Sequence, residues 1–313
     1  MLKKSSKYLH IFIIFALSVL LVLFWRFFGA NANKVNVRID VNKGVCVHFI
    51  DVDQGDCELI MSGGHAVLID AGERDKGVTV VQYLRRLGLK KIDYVIATHP
   101  HTDHIGGLNS VINNLSVGEI IMPKIPQRLV PTNVVYRRLL ETIINKNIKV
   151  RQAVPGDVLN LGESSLNILG PISENYDNLN DFSVGALLSY KNVSFLFCGD
   201  MQGNAEQDLL KSKQNIKADV FKLSHHGSKT SNGKKFLKAV NPKYCVAEVG
   251  KNNIHNHPHA KVLNILNSLG IKNIYRTDMD GSIIFYTDGE KIDVQTQKKR
   301  KPKSNKTHIG GQA

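Results

Sequence analysis

The chain has 313 residues, 41 basic and 27 acidic side chains, a formal net charge of +14 and a pI of about 9.5. The charge sits at the ends: residues 1–32 carry four basic and no acidic side chains, residues 297–313 carry six and none, leaving +4 for the body. Composition therefore excludes a uniformly basic body. The roughly 260 residues between the ends, free of repeats and low-complexity stretches, exclude a string of small domains and suit one large α/β core.

Residues 1–32 read as a leader outside the fold. Lys3, Lys4 and Lys7 precede an apolar run over 9–25, broken only by His10 and Ser18, and Arg26 and Ala30-Asn31-Ala32 follow. A charged start, an apolar run and an A-x-A segment is the order of a secretory signal. The run is long for a signal peptide and slightly short for a comfortable membrane span. A cleaved signal peptide and an uncleaved transmembrane signal-anchor both fit. In either case the lysines favour a cytoplasmic N-terminus, so the body is expected outside the cell, secreted or membrane-anchored.

Strands are expected over 45–50, 59–61 and 66–70, with Gly63-Gly64 as a hairpin turn between the last two. A helix over 78–87 ends at Gly88, and a β-branched, aromatic run over 92–97 reads as a buried strand. A helix over 108–115, a strand over 120–122 and an amphipathic helix over 132–145 complete the first half. The second half repeats the grammar, with strands near 166–169, 186–190, 194–198, 219–223, 244–249, 274–276, 282–287 and 292–295. Helices over 205–211, 234–239 and 260–269 lie between them. Strand-rich halves with helices outside predict an αββα sandwich over residues 33–296. Residues 297–313 read as a basic disordered tail, either a polyanion contact (nucleic acid, teichoic acid, anionic lipid) or a solvated end. Cys46, Cys198 and Cys245 stand in apolar runs and, with Cys57, match no cysteine-based zinc spacing. Buried free thiols are expected rather than disulfides, although an exported chain permits them.

The chemistry concentrates in Thr98-His99-Pro100-His101-Thr102-Asp103-His104-Ile105-Gly106-Gly107. A strand end delivering His-x-His-x-Asp-His into a loop suits Zn²⁺, or Mn²⁺ or Fe²⁺ where oxygen ligands dominate. The i, i+2 spacing puts His99 and His101 on one side of an extended backbone, where they can share an ion. Asp103 and His104, past the turn, are better placed for a second one. Asp200 and His225-His226-Gly227-Ser228 also follow apolar strand-like runs.

These segments resemble the HxHxDH signature of the metallo-β-lactamase superfamily, and the wider context is similar to the hydrolase domains of ComEC-type DNA-uptake proteins and their stand-alone relatives. The matching pieces are Phe49-Ile50-Asp51-Val52-Asp53-Gln54-Gly55-Asp56, Leu68-Ile69-Asp70-Ala71-Gly72, Phe197-Cys198-Gly199-Asp200, His225-His226-Gly227-Ser228 and His257-Pro258-His259. They occur in the family's order over about residues 45–287.

The resemblance implies the metallo-β-lactamase fold and one or two divalent ions, Zn²⁺ or Mn²⁺. It implies Asp200 as a bridging ligand, with His99 and His101 on one ion and Asp103, His104 and His226 on the other. His225 is expected toward the substrate or leaving group, though the His225-His226 pair could be reversed. Asp70 is expected to brace the HxHxDH loop by hydrogen bonds without touching metal. Asp103, Asp200 and His225 are the catalytic candidates, acting on a metal-activated water. Ser228, Lys229, Ser231, His257, Gln54, Asn180 and Ser183 are the candidate substrate contacts. Two departures stand out. No histidine occurs between Ile105 and Asp219, where many superfamily hydrolases carry a further ligand; Asn180-Asp181-Phe182-Ser183 lies there instead and resembles the Asn-x-x-Ser pattern of the ComEC branch. The first site is therefore short of a ligand unless Asn180, Asp181 or Ser183 contributes an oxygen, which would favour Mn²⁺. Asp53 replaces a family glycine, which suggests a strained backbone.

The implied activity is that of an exported phosphodiesterase or DNase, with DNA or another phosphodiester as substrate. The alternatives are hydrolysis of another ester (phosphocholine or teichoic-acid phosphodiester, lactone, β-lactam) and a degenerate polyanion-binding protein. No protein partner is inferable.

Overall fold

The computed structural model describes Ser18 and residues 44–298. The leader, apart from Ser18, and the tail beyond Lys298 lie outside the described residues. Among the described residues no helix is long and apolar enough to cross a membrane.

Among the described residues fifteen strands follow one another: β1 (Val45–Phe49), β2 (Glu58–Ser62), β3 (His65–Ile69), β4 (Lys91–Ile96), β5 (Ser116–Met122), β6 (Lys149–Gln152), β7 (Val158–Leu161), β8 (Ser164–Ile168), β9 (Ala186–Tyr190), β10 (Val193–Phe197), β11 (Val220–Lys222), β12 (Tyr244–Ala247), β13 (Asn273–Arg276), β14 (Ile283–Thr287) and β15 (Ile292–Thr296). They form two sheets, one in the order β15-β14-β1-β2-β3-β4-β5-β6 and the other β13-β12-β11-β10-β9-β8-β7. The longer helices are α1 (Gly77–Arg86), α2 (Leu108–Asn114), α3 (Val134–Asn145), α4 (Gly203–Lys211), α5 (Lys234–Val240) and α6 (Ala260–Ser268).

Side-chain alternation explains the layers. In β1, Val45, Val47 and Phe49 join Leu188, Phe195, Phe197 and Phe285 in a core between the sheets. The intervening Cys46 and His48 point to the opposite face of the strand. A second core buries Leu59, Leu68 and Val95 against Val80, Leu84, Val111 and Leu139 of α1, α2 and α3. A third buries Leu196, Phe221 and Cys245 against Leu209, Phe236 and Leu266 of α4, α5 and α6. Helices thus cover both outer faces, giving the αββα sandwich expected from the sequence. All four cysteines are buried and free, as expected.

Most element boundaries shift by one or two residues from expectation, β5 begins four residues earlier than expected, and two strands were not expected. β6 lies at a sheet edge with three of its four residues exposed, so it carries no apolar alternation to read. β7 alternates over only four residues, with Leu159 and Leu161 inward. The Gly63-Gly64 turn joins β2 to β3 with φ of 56° and 78°, a left-handed pair that glycine adopts at least cost.

The strand directions place the site. β1, β3, β4 and β5 run one way, as do β10, β11, β12 and β13. The segments after β1, β3, β4, β10, β11 and β12 therefore leave their sheets at one edge of each. Those segments hold every histidine and aspartate named above as a candidate ligand, brace or catalytic group.

Candidate metal centre

Asp70, directly after β3, organises the first set of ligands. Its Oδ1 accepts the Thr98 amide at 2.9 Å and its Oδ2 accepts the Thr98 hydroxyl at 2.5 Å. Oδ2 also accepts His104 Nδ1 at 2.7 Å, which fixes the imidazole so that Nε2 faces inward. Asp70 thus ties the start of the HxHxDH loop to one of its imidazoles through hydrogen bonds.

Four groups converge inside this brace. His104 Nε2 lies 3.3 Å from Asp200 Oδ1, and His226 Nε2 lies 3.2 Å from Asp103 Oδ2 and 3.7 Å from Asp200 Oδ1. The four donor atoms all lie within 4.8 Å of one another. His104 Nε2 and Asp200 Oδ1 are buried and have no hydrogen-bond partner. Buried polar atoms are ordinarily paired, so two orphans facing each other in a ring of imidazoles and carboxylates fit a cation. His226 is the half of the histidine pair that enters this ring.

The other oxygen of Asp200 faces a second set. Oδ2 lies 4.0 Å from His99 Nε2 and 3.6 Å from His225 Nε2. His99 Nε2 is 3.0 Å from His101 Nδ1. Beside His101 stands Asn180, whose Oδ1 is buried and unpaired. The two oxygens of one carboxylate thus face two histidine sets, the arrangement a bridging ligand requires. Gly199, just before Asp200, has φ of 49°, and a Cβ there would lie 3.0 Å from both Ser183 Oγ and Thr98 Cβ. Glycine lets the two halves approach at this point.

The electrostatics of the sets differ. Burial opposes charge on His104 and His226, but the surrounding carboxylates outweigh it: His104 is held well above the usual imidazole range and His226 is raised to about 10. Burial also opposes ionisation of Asp103 and Asp200, and the neighbouring imidazoles prevail and keep both low. Burial and the neighbouring His104 ring push His99 and His101 down, leaving neutral imidazoles with free lone pairs. Burial and the surrounding rings lower His257 to about 3, so it is uncharged at neutral pH.

Several supports were not visible as such in the sequence. Lys222, the last residue of β11, is completely buried and ion-paired with Asp56. The Asp56 carboxylate lies 3.1 Å from His226 Nδ1 and 3.8 Å from His104 Nδ1. His226 Nδ1 donates to the Glu248 carbonyl at 2.9 Å. Burial raises Asp56 and the Lys222 ammonium then outweighs it, holding the carboxyl at about 2. The signal for this pair was a lysine inside the apolar run 220–223. Asn232, also buried, accepts the Ser224 amide at 3.0 Å and donates to the Ser224 carbonyl at 2.9 Å, closing the loop that carries His225 and His226. Both histidines in that loop have left-handed φ, 51° and 54°, a conformation costing roughly 1–3 kcal/mol per non-glycine residue. Asp53, in place of a family glycine, also has φ of 64°, as its position suggested.

The expected substrate contacts divide. Lys229 is exposed, and its amide donates to His259 Nδ1 at 3.0 Å. His257 and Asn180 border the site, each 7% exposed. Gln54 spans the rim and accepts the Gly250 amide at 3.2 Å. Ser228 and Ser231 are buried, with Ser228 Oγ 3.0 Å from Thr230 Oγ1. Ser183 departs from expectation. It is 0% exposed, accepts the Asp200 amide at 3.0 Å and lies 3.3 Å from His99 Nδ1. It holds His99 and Asp200 in place and has no face for a substrate. Asp181 caps α4, accepting the Gln202 amide at 2.8 Å and the Ala205 amide at 3.4 Å.

A family model described as the metallo-beta-lactamase superfamily matches residues 50–246. ComE operon protein 3 of Bacillus subtilis (strain 168) is 30% identical over 256 residues, 76% of this chain and 32% of that protein. Competence protein ComA of Neisseria gonorrhoeae is 28% identical over 237 residues, 75% of this chain and 31% of that protein. The chain spans about a third of the length of these relatives. Among solved structures, the metallo-beta-lactamase fold protein YhfI of Bacillus subtilis has a TM-score of 0.50 at 13% identity, covering 78% of this chain and all of that one. That likeness concerns the fold.

Proposed function

Because this chain belongs to the metallo-β-lactamase superfamily, we propose that it is a metal-dependent phosphodiesterase acting on DNA, exported by its N-terminal segment. The observation that carries the hydrolase reading is Asp200, whose two oxygens each face a separate histidine set. Asp103, His104, His226 and Asp200 Oδ1 would hold one divalent ion, Zn²⁺ or Mn²⁺. His99, His101 and Asp200 Oδ2 would hold another, with Asn180 Oδ1 as the remaining oxygen donor. Ions bound there supply Lewis acidity toward a phosphoryl oxygen and lower the pKa of water.

The chain's own groups divide the remaining work. Asp103 is the most accessible of the four groups in its set, with a side chain 26% exposed, and its ionised carboxylate can accept a proton from water. His225 is held at Nδ1 beside the Thr230 hydroxyl, 3.2 Å away, leaving Nε2 toward the site to hydrogen-bond a leaving oxygen. Lys229, exposed three residues after His226, offers a cation to phosphate oxygens. The DNA substrate is favoured by the names of relatives, a competence protein and a recombination protein among them. Export is favoured by the lysines and apolar run of residues 1–32.

The test is turnover of linear DNA, bis(p-nitrophenyl) phosphate and nitrocefin by the full chain with Mn²⁺ or Zn²⁺, with and without chelator. Metal-dependent loss of both diesters with intact nitrocefin is expected. Nitrocefin hydrolysis with both diesters untouched would overturn the reading, as would DNA loss insensitive to chelator.

A further inference from the structure

The +4 of the body conceals a segregation of charge. Residues 223–275 hold eight lysines and one acid, Glu248, which is buried, so the rest of the body is net negative. Topology then sorts these lysines. β10, β11 and β12 are parallel, so the loops after β11 and β12 leave the sheet at the edge where Asp200 stands, and α5 and α6 begin from those loops. Lys229, Lys234, Lys235, Lys251 and Lys261 therefore emerge at the metal end, and all five are exposed. The Lys229 amide bonded to His259 ties the two loops together.

Neither pairing nor helix stability accounts for these positions. Among the described residues none of the five forms an ion pair, whereas Lys243, at the far end of β12, is paired with Asp219 at 2.8 Å. Lys234 and Lys235 open α5 and Lys261 lies in the first turn of α6, where the helix dipole favours carboxylates. Neither first turn contains an acid. The opposite lip, from the segments after β1 and β3, is mixed: Lys76 lies 3.5 Å from Asp53 and 3.4 Å from Asp75, with the exposed Arg74 set among Asp51, Glu73 and these acids. A polyanion at the metal centre is drawn to one lip and not to the other.

We infer that this lysine lip is the track of the DNA backbone. A strand whose scissile phosphate sits at the metal centre continues over Lys229, Lys234, Lys235, Lys251 and Lys261. The inference rests on the phosphodiesterase reading for its ligand. Phe236 is buried and Tyr244 and Tyr275 pack against the core between the sheets, so exposed cations rather than Phe or Tyr stacking carry recognition on this lip. Binding there is independent of sequence and steeply dependent on salt.

The experiment is fluorescence anisotropy of a labelled phosphorothioate oligonucleotide, single-stranded and duplex, with the metal-loaded full chain across a salt series. Replacing Lys234, Lys235, Lys251 and Lys261 by Gln together is expected to weaken binding at least about tenfold near 0.1 M salt. The duplex salt slope should fall by about 0.9 for each phosphate that the variant no longer neutralises. A matched variant replaces Lys90, Lys146, Lys217 and Lys272 by Gln, all exposed and each preceding a strand at the far edge; it should bind as the parent does. Equal losses in both variants would reduce the lip to net charge and overturn the inference. So would unchanged binding in the first variant, or wild-type binding of poly(glycerol phosphate) but not DNA. The readout is separate from catalysis. Loss of DNA binding in a chain that hydrolyses no diester would sink only the phosphodiesterase reading, and normal diester turnover with undisturbed DNA binding would sink only the lip.

Discussion

The two histidine sets around Asp200 are built to different standards. The set of Asp103, His104, Asp200 and His226 is enclosed and braced from behind by Asp70 on one imidazole and by Glu248 and Asp56 around the other. The set of His99 and His101 has Ser183 and Thr98 beside one ring and the carboxamide of Asn180 beside the other. Where carboxylates crowd, the imidazoles are held charged; where they are sparse, the imidazoles stay neutral. Asp200 therefore joins a pocket whose imidazoles are held charged to one whose imidazoles are neutral.

Removing the shared group should have the largest effect. Asp200→Ala is expected to abolish turnover and empty both pockets, whereas His101→Ala should leave one ion per chain. Metal analysis of the purified variants checks this, and a full complement in Asp200→Ala would break the comparison. Next in size is the buried pair behind the braced pocket. Lys222→Met strands the Asp56 carboxylate and should cost about 3–5 kcal/mol in urea unfolding. Asp70→Asn should weaken metal at the braced pocket about 10–100-fold, read by competition with a chelating dye. His101→Ala serves as its control.

The pH dependence sharpens the contrast further. With His226 raised to about 10 by its carboxylates, a cation must displace a proton to enter that pocket. Its apparent affinity should rise with pH through the neutral range, with protons released in calorimetry across buffers of different ionisation enthalpy. His99 and His101 are already neutral, so uptake at the other pocket should be flat over the same range. Equal proton release at both would contradict the assignment. The smallest effect is expected from deleting residues 299–313, which should leave small-diester turnover unchanged.

The sequence displayed the braced pocket more fully than the other, for a physical reason. Candidate metal ligands at strand ends follow short apolar runs and cluster by residue type, so the convergence of His99 to His104, Asp200 and His226 could be read from spacing and resemblance together. What surrounds them depends on burial, which spacing does not encode. Ser183 looked like a polar group for a substrate and is a completely enclosed prop between His99 and Asp200. Lys222 looked like one polar residue in a strand, and Asp56 like part of a loop motif, because their pairing spans 166 residues. The edge strand β6 escaped because an exposed edge leaves no apolar rhythm.

The ligands of the braced pocket come from both halves of the sandwich: Asp103 and His104 follow β4, while Asp200 and His226 follow β10 and β11. An ion held there would act as a rivet through the seam between the halves. At a free metal concentration about a hundred times the dissociation constant, it would resist unfolding by about 2.7 kcal/mol. Stripping it should loosen the seam at that edge first, leaving the apolar centre closed, and hydrogen exchange would detect the difference.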